Sequence, residues 1–257
     1  MALIKHDIPI LERDTEEIAV IMANRHEGYV FPEKCVFAFL GEMIEQIGTK
    51  EQHEIIGEFE STTKIYPIYK MTYKGEEICY CQAPCGAPAA VQILECLIGY
   101  GVKEVIACGS CGGLEHFEEN QILIPTSALR DEGTSYHYVA PSREISLSEK
   151  AIRACIEAAE HFKVAYSLCK TWTTDGFYRE TKEMIAYRKE EGCQVVEMEC
   201  SALMACAQFR GATFGEILFT ADSLAIPEAY DERDWGKSSY EIVFKLALEA
   251  VYLMDKV

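Results

Sequence analysis

Short apolar runs rich in Val, Ile, Phe and Tyr alternate along this chain with segments of helical period, and no other feature constrains its fold as strongly. Strands separated by helices are joined by crossovers, so the sheet is mostly parallel or mixed and helices cover it. Residues 35–40, 65–73, 77–82, 104–108, 121–129, 164–172, 194–198 and 215–221 read as strands. Residues 87–100, 148–162, 180–191, 199–210 and 238–256 read as helices. Pro88 sits in the first turn of one helix, where its missing N–H costs little, and Gly99 and Gly101 mark its exit. Ser146 and Ser148 are both candidate N-caps, Ser146 with Glu149 three residues on as in a capping box. Residues 72–77 read as a hairpin turn between two strands. The fold class is therefore α/β.

No repeat, low-complexity tract or Gly/Ser-rich linker divides the 257 residues, so a single domain over 1–257 is expected. Hydrophobic residues make up 49% of the chain, which excludes a disordered polypeptide. The formal charge of −18 argues against nucleic-acid or anionic-membrane partners, because phosphate backbones and anionic lipids attract basic surfaces. A small anionic ligand in a locally positive pocket stays compatible with that charge. The N-terminal residues lack the apolar stretch of a secretory signal, and no window is apolar enough for a membrane span. Twelve cysteines without such a signal read as reduced thiols, and a cytoplasmic location is expected.

Five segments can carry chemistry. In Val105-Ile-Ala-Cys-Gly-Ser-Cys-Gly-Gly-Leu114, three glycines and Ser110 follow a strand. Backbone N–H groups there can turn toward an anion, and Ser110 adds a hydroxyl. The glycine spacing fits neither a dinucleotide fingerprint nor a P-loop, and a tight turn without a ligand is the plainer reading. Cys108 and Cys111 have the spacing of a redox pair or half a zinc site, although buried cysteine commonly serves as a small hydrophobe. No metal site is expected.

In Gln194-Val-Val-Glu-Met-Glu-Cys-Ser-Ala-Leu203, a short apolar strand ends in two carboxylates around a methionine. If strand geometry persists, Glu197 and Glu199 share a side and Met198 faces the other way. A carboxylate there can accept hydrogen bonds from a vicinal diol such as that of ribose, or Glu199 can simply favour the helix start. Asp222 directly follows an apolar strand, and desolvation can hold it protonated; a turn cap is the alternative. The charged stretch after it reads as a loop or lid, from which Arg233 could reach back to Asp222. Phe177 and Tyr178 stand beside a glycine and can stack on a flat ring or pack in the core. Residues 129–141 combine Arg130, hydroxyls and His137 in a loop that suits a pocket or an interface.

Taken in order, Gly109-Ser-Cys-Gly-Gly113, Arg130-Asp-Glu-Gly-Thr-Ser-Tyr-His137, Asp175-Gly-Phe-Tyr178 and Val195-Val-Glu-Met-Glu-Cys-Ser-Ala-Leu203 resemble the nucleoside phosphorylase family. That family includes uridine phosphorylase, hexameric purine nucleoside phosphorylase and the methylthioadenosine nucleosidases. The resemblance runs from about residue 64 to 225, with weaker support at both ends. It implies a three-layer α/β/α sandwich with a mixed, partly barrel-like central sheet. It implies that Glu199, with Glu197 beside it, holds ribose hydroxyls, that Met198 packs under the sugar and that Phe177 stacks on the base. Ser110 and Gly109 would meet phosphate, and Arg130 lies in a segment similar to one of uridine phosphorylase. Asp222 would protonate a purine leaving group with Arg233 as partner, and His6 and Lys64 would contact ligand across a subunit boundary.

The implied reaction is cleavage of an N-glycosidic bond by phosphate, giving free base and ribose 1-phosphate. Its partners would be a nucleoside and inorganic phosphate as co-substrate, with no other cofactor, in a homo-oligomer, a dimer or hexamer. Three features depart from the family. The strand exit Phe39-Leu-Gly-Glu-Met43 lacks a Gly-Asp-Pro-x-Arg-like loop, and Ala107 stands where an arginine precedes the glycines. Arg25, Arg130, Arg143, Arg179 or Lys64 could compensate; otherwise water is the nucleophile, as in a nucleosidase. Thr181-Lys-Glu183 replaces the Gln-x-Arg pair that reads uracil, which points to a purine. A nucleoside-binding protein without catalysis and a thiol-redox protein using Cys108 and Cys111 are the readings from other classes.

Overall fold

The computed structural model describes every residue except 1–2, 4, 25–27 and 51. Ten strands run β1 Lys34–Ala38, β2 Glu54–Glu60, β3 Ile65–Tyr73, β4 Glu76–Gln82, β5 Glu104–Gly113, β6 Ile122–Asp131, β7 Glu144–Ser146, β8 Tyr166–Thr174, β9 Val195–Glu197 and β10 Thr213–Ser223. Among the described residues six α-helices accompany them: α1 Met43–Gly48, α2 Ala87–Gly99, α3 Glu149–Phe162, α4 Lys182–Glu190, α5 Cys200–Arg210 and α6 Tyr240–Leu253. The strands form one mixed sheet in the order β10-β6-β8-β9-β5-β1-β4-β3-β2, with β7 on β6, and β10 also pairs with β5. That last pairing closes β5, β10, β6, β8 and β9 into a five-stranded ring, while β1, β4, β3 and β2 extend it as a wall.

The period-2 pattern of the sequence sets the layers. Cys35, Phe37, Cys79, Cys81, Val105 and Ala107 pack with the buried faces of α2 and α5. Their neighbours Val36, Ala38, Ile78, Tyr80, Ile106 and Cys108 pack with α3 and α6 on the opposite side. β1, β4 and β5 are therefore apolar on both faces and read as continuous runs. The result is the expected α/β/α sandwich with a partly barrel-like sheet. The expected hairpin turn lies at Lys74 and Gly75, with φ of 50° and 86°, the left-handed geometry of a two-residue turn matched to strand twist. Ser148, the second of the two candidate caps, accepts the Ala151 N–H at the start of α3.

One expectation fails at the glycine run. Residues 109–113 are not a loop after a strand but the second half of β5. The first half pairs with β1 as far as Ala38–Cys108, and the second half leaves β1 for β9, with Gly112 opposite Val196. The strand thus forks from wall into ring at the glycines. A Cβ on Gly109 would stand 2.9 Å from the Phe39 Cβ, and one on Gly112 would stand 2.7 Å from the Leu224 side chain. The fork needs close backbone approach, which explains the residue type better than an open turn does.

Candidate active site

A cavity of about 680 Å³ opens where the strands of wall and ring end. Residues 109–112 of β5 form its floor, and Val196 to Glu199, at the β9–α5 junction, form one side. Glu216, Leu218, Ala221 and Asp222 of β10 form another. Phe177 and Glu180, after β8, and Trp235, beyond β10, also line it, with Phe39, Gly41, Tyr66 and Gln82 to Cys85 from the wall. Carboxyl ends of strands are the usual ligand position in α/β sheets, and the volume suits a nucleoside-sized molecule.

The two carboxylates of β9–α5 have separate tasks. Glu197 accepts the Thr173 hydroxyl at 2.6 Å, the Thr171 hydroxyl at 3.1 Å, and the N–H groups of Glu199 and Cys200 at 2.7 and 2.6 Å. It thereby satisfies the open N–H groups at the start of α5. Glu199, at the N-cap position, makes no capping bond; its carboxylate instead accepts the Gly86 N–H across the cavity. Burial, and then the charge of Glu197, push Glu199 from the usual 4.5 to about 8. The expected alternation does not hold here. The chain leaves strand geometry at Glu199 (φ −137°, ψ −30°), so Glu197, Met198 and Glu199 all face the cavity.

At the other end, burial raises Asp222 above the ordinary aspartate value, while a hydrogen bond with Tyr230 and the Arg233 charge oppose the rise. Burial and the charge of Asp222 also push Glu180 to about 7. Arg233 acts on Asp222 through its charge but not as a hydrogen-bonded partner. Its guanidinium donates to the Phe117 carbonyl at 2.7 Å and lies 3.6 Å from Asp231. Tyr230 takes the place expected of Arg233.

Gly109, Ser110, Phe177, Glu197, Met198, Glu199 and Asp222 thus gather around one cavity. Arg130 does not. It is buried, donates to Ser135, Ala140 and Ser142, and lies over the Tyr136 ring, so it ties down the 131–142 loop. His6 is exposed, and its ring accepts the Ile8 N–H of its own segment. Lys64 does not line the cavity itself; it donates to Gln82 and lies 5.4 Å from the centre of the Tyr66 ring, both lining residues, and it pairs with Glu45 at 2.7 Å. Arg143 pairs with Glu191, Arg179 does not line the cavity, and Arg25 lies outside the described residues. Cys108 and Cys111 are both buried, and burial pushes their thiols far above the reactive range.

Sequence reasoning missed Glu216 and Glu180. Glu216 is 2% exposed in the middle of β10, and burial together with Glu197 raises its proton affinity. The signal was present: an acid inside the apolar run Gly215-Glu-Ile-Leu-Phe219 has no structural reason to be there. Among the described residues, five carboxylates and no Lys, Arg or His line the cavity.

Comparison with known proteins bears on this geometry. The sequence model of the phosphorylase superfamily matches residues 35–250. The guanosine phosphorylase of Halorubrum lacusprofundi is 27% identical over 72% of this chain and 80% of its own length. The purine nucleoside phosphorylase of Toxoplasma gondii, solved with immucillin-H, shares the fold with a TM-score of 0.75. It is 19% identical and covers 88% of this chain and 93% of its own. The AMP nucleosidase of Bacteroides thetaiotaomicron has a TM-score of 0.71 at 21% identity, covering 88% and 90%.

Proposed function

The chain belongs to the phosphorylase superfamily, and from that premise we propose that it cleaves the N-glycosidic bond of a purine nucleoside and releases the free base. The observation that carries this reading is the meeting of Glu199, Asp222 and Phe177, from three separate parts of the chain, in the lining of one nucleoside-sized cavity. Cleavage builds positive charge on the ribose and negative charge on the departing base. Asp222, whose proton burial helps retain, supplies that proton to the base. Glu199 accepts the ribose hydroxyls and fixes the sugar so that the nucleophile meets the anomeric carbon in line. Its high proton affinity falls once hydroxyl donors and a cationic sugar face it. Phe177 stacks on the base, and Glu180, beside Asp222, adds a second acidic group facing it.

A proton donor at Asp222 with a second acidic group at Glu180 suits a purine, which offers a ring nitrogen to protonate beside an N–H or amino donor, better than it suits uracil. The guanosine and purine specificity in the names of relatives supports the same choice. Relatives and structural neighbours include both phosphorylases and a nucleosidase, and base release is common to both reactions. The homo-oligomer implied by the sequence resemblance belongs to this proposal as well. The test is a panel of purine and pyrimidine ribonucleosides followed by chromatography of the free base. Base release from inosine, guanosine or adenosine well above that from uridine is expected. Release from none of them, or preference for uridine, would refute the reading.

A further inference from the structure

Asp222 lines the cavity, yet its carboxyl is also held from outside the lining. β10 ends at Ser223, which exchanges both backbone hydrogen bonds with Asp231, at 2.9 and 3.2 Å, in an isolated antiparallel bridge. Side chains alternate along paired segments, so Asp222 and Tyr230, which flank this bridge on its two segments, share a face and meet on the diagonal. The Tyr230 hydroxyl is hydrogen-bonded to the Asp222 carboxyl there. Tyr230 does not line the cavity and is 51% exposed, whereas Asp222 is 6% exposed. The loop that carries Tyr230 has other anchors. Arg233 donates to the Phe117 carbonyl, and Glu119 accepts the N–H groups of Asp234 and Gly236 at 3.0 Å each. The loop therefore keeps its place without the Tyr230 hydroxyl, and what that hydroxyl changes is Asp222.

Each neighbouring element brings Asp222 a different group. Cys111 of β5 brings a neutral thiol, Glu180 after β8 a second carboxyl, Arg233 a positive charge and Tyr230 a hydroxyl. Partial burial and the charge of Asp222, with Glu232 and Glu180 adding to it, make Tyr230 hold its proton more tightly than an ordinary tyrosine does. Tyr230 is therefore a hydrogen-bond donor that stays un-ionised near neutral pH, and such a donor favours the carboxylate form of its partner. We propose that Tyr230 is a positioning residue for the acid step: its hydroxyl holds the Asp222 carboxyl in place for the base and stabilises the negative charge that Asp222 gains on giving up its proton. This rests on the base-releasing function proposed above, with Asp222 as proton donor.

The proton passes from Asp222 to a ring nitrogen of the base as the electron pair of the carbon–nitrogen bond moves onto the base. Tyr230 keeps its own proton and donates its O–H to the carboxylate so formed. Solvent reprotonates Asp222 after the base has left. A hydrogen bond to the carboxylate is stronger than one to the neutral acid, so the contact tightens along the reaction and lowers its barrier.

Tyr230→Phe keeps the ring and removes the hydroxyl. Steady-state base release from purine nucleosides is followed from mildly acid to alkaline pH for the wild type, Tyr230→Phe and Asp222→Asn. Tyr230→Phe is expected to lower kcat about ten- to a hundredfold, the range of one hydrogen bond to a charged group, with KM little changed. Its alkaline limb should move to higher pH, because the lost donor no longer favours the ionised form of Asp222. Ribosides whose leaving group needs no proton should be cleaved by Tyr230→Phe at close to the wild-type rate. Wild-type kcat in Tyr230→Phe overturns the inference, and so do equal losses for both kinds of riboside with the alkaline limb unmoved; both leave the base-releasing function standing. Release of no base by the wild type, or wild-type turnover in Asp222→Asn, overturns the premise and the inference together. If Tyr230→Phe does not fold, Tyr230→Leu carries the same comparison.

Discussion

Replacing Glu199 by Gln separates what the carboxylate does for the reaction from what it costs the fold. Glu199 is 7% exposed, and its pKa lies at about 8 rather than 4.5. Below about pH 4.5 the group is protonated in both folded and unfolded chains and contributes no pH dependence. As pH rises, the unfolded chain ionises first and the folded state loses stability, until the folded group ionises as well. The loss reaches about 5 kcal/mol above about pH 8, an upper limit because Glu197 and Glu216 share the same field. Glutamine has the same shape, can still accept the Gly86 N–H, and carries no charge. The variant should therefore melt like the wild type near pH 4.5 and well above it in alkaline buffer. At about 2–4 °C per kcal/mol for a chain of this size, the gain is on the order of 10 °C.

Activity should move the opposite way. Two charge-assisted hydrogen bonds to ribose hydroxyls, at about 1.5–3 kcal/mol each, correspond to a loss of about 100- to 10,000-fold in kcat/KM. Thermal melts at acid and alkaline pH, paired with base-release kinetics on the same preparations, measure both sides. An alkaline melting point no higher than that of the wild type would refute the electrostatic account. Turnover within a few-fold of wild type would remove Glu199 from the sugar site.

Two further substitutions probe the base end. Asp222→Asn should lower kcat/KM for purine nucleosides by about 100- to 10,000-fold, and should spare ribosides whose leaving group needs no proton; equal losses for both kinds of substrate in steady-state assays would contradict the acid role. Gly112→Ala places a methyl 2.7 Å from the Leu224 side chain, 3.0 Å from Val196 and 3.2 Å from Asp222 Oδ1, so Leu224 must move and Asp222 must give by a few tenths of an ångström. A folded protein with kcat reduced about tenfold and KM little changed is expected, and an unaltered kcat would show that the position of Asp222 is not critical.

Much of this was legible in the sequence, for a physical reason. Strands buried on both faces read as continuous apolar runs, and helices that cover them carry caps, so β3 and α2 were found within one residue of their observed limits. The edge strand β2, Glu54–Glu60, was missed because its exposed glutamates hide its period. The second half of β5 was missed because glycines carry no hydrophobic signal, and only the fork between β1 and β9 explains them. Glu197, Glu199 and Asp222 were legible because a carboxylate at the end of an apolar strand needs a reason. Arg130 and Arg233 were misplaced because a guanidinium can reach a carbonyl of its own loop as readily as a ligand. No sequence pattern tells these apart.

The ring has a consequence for how the protein comes into being. β10 lies between β5 and β6, and among the described residues it follows every other strand in chain order. A growing polypeptide can assemble most of the wall and helices first, yet it has no enclosed cavity until this final strand slots home, bringing Asp222 and Glu216 with it. The cavity's two β10 carboxylates therefore come and go together, and a chain whose β10 has slipped out of the ring loses both at once.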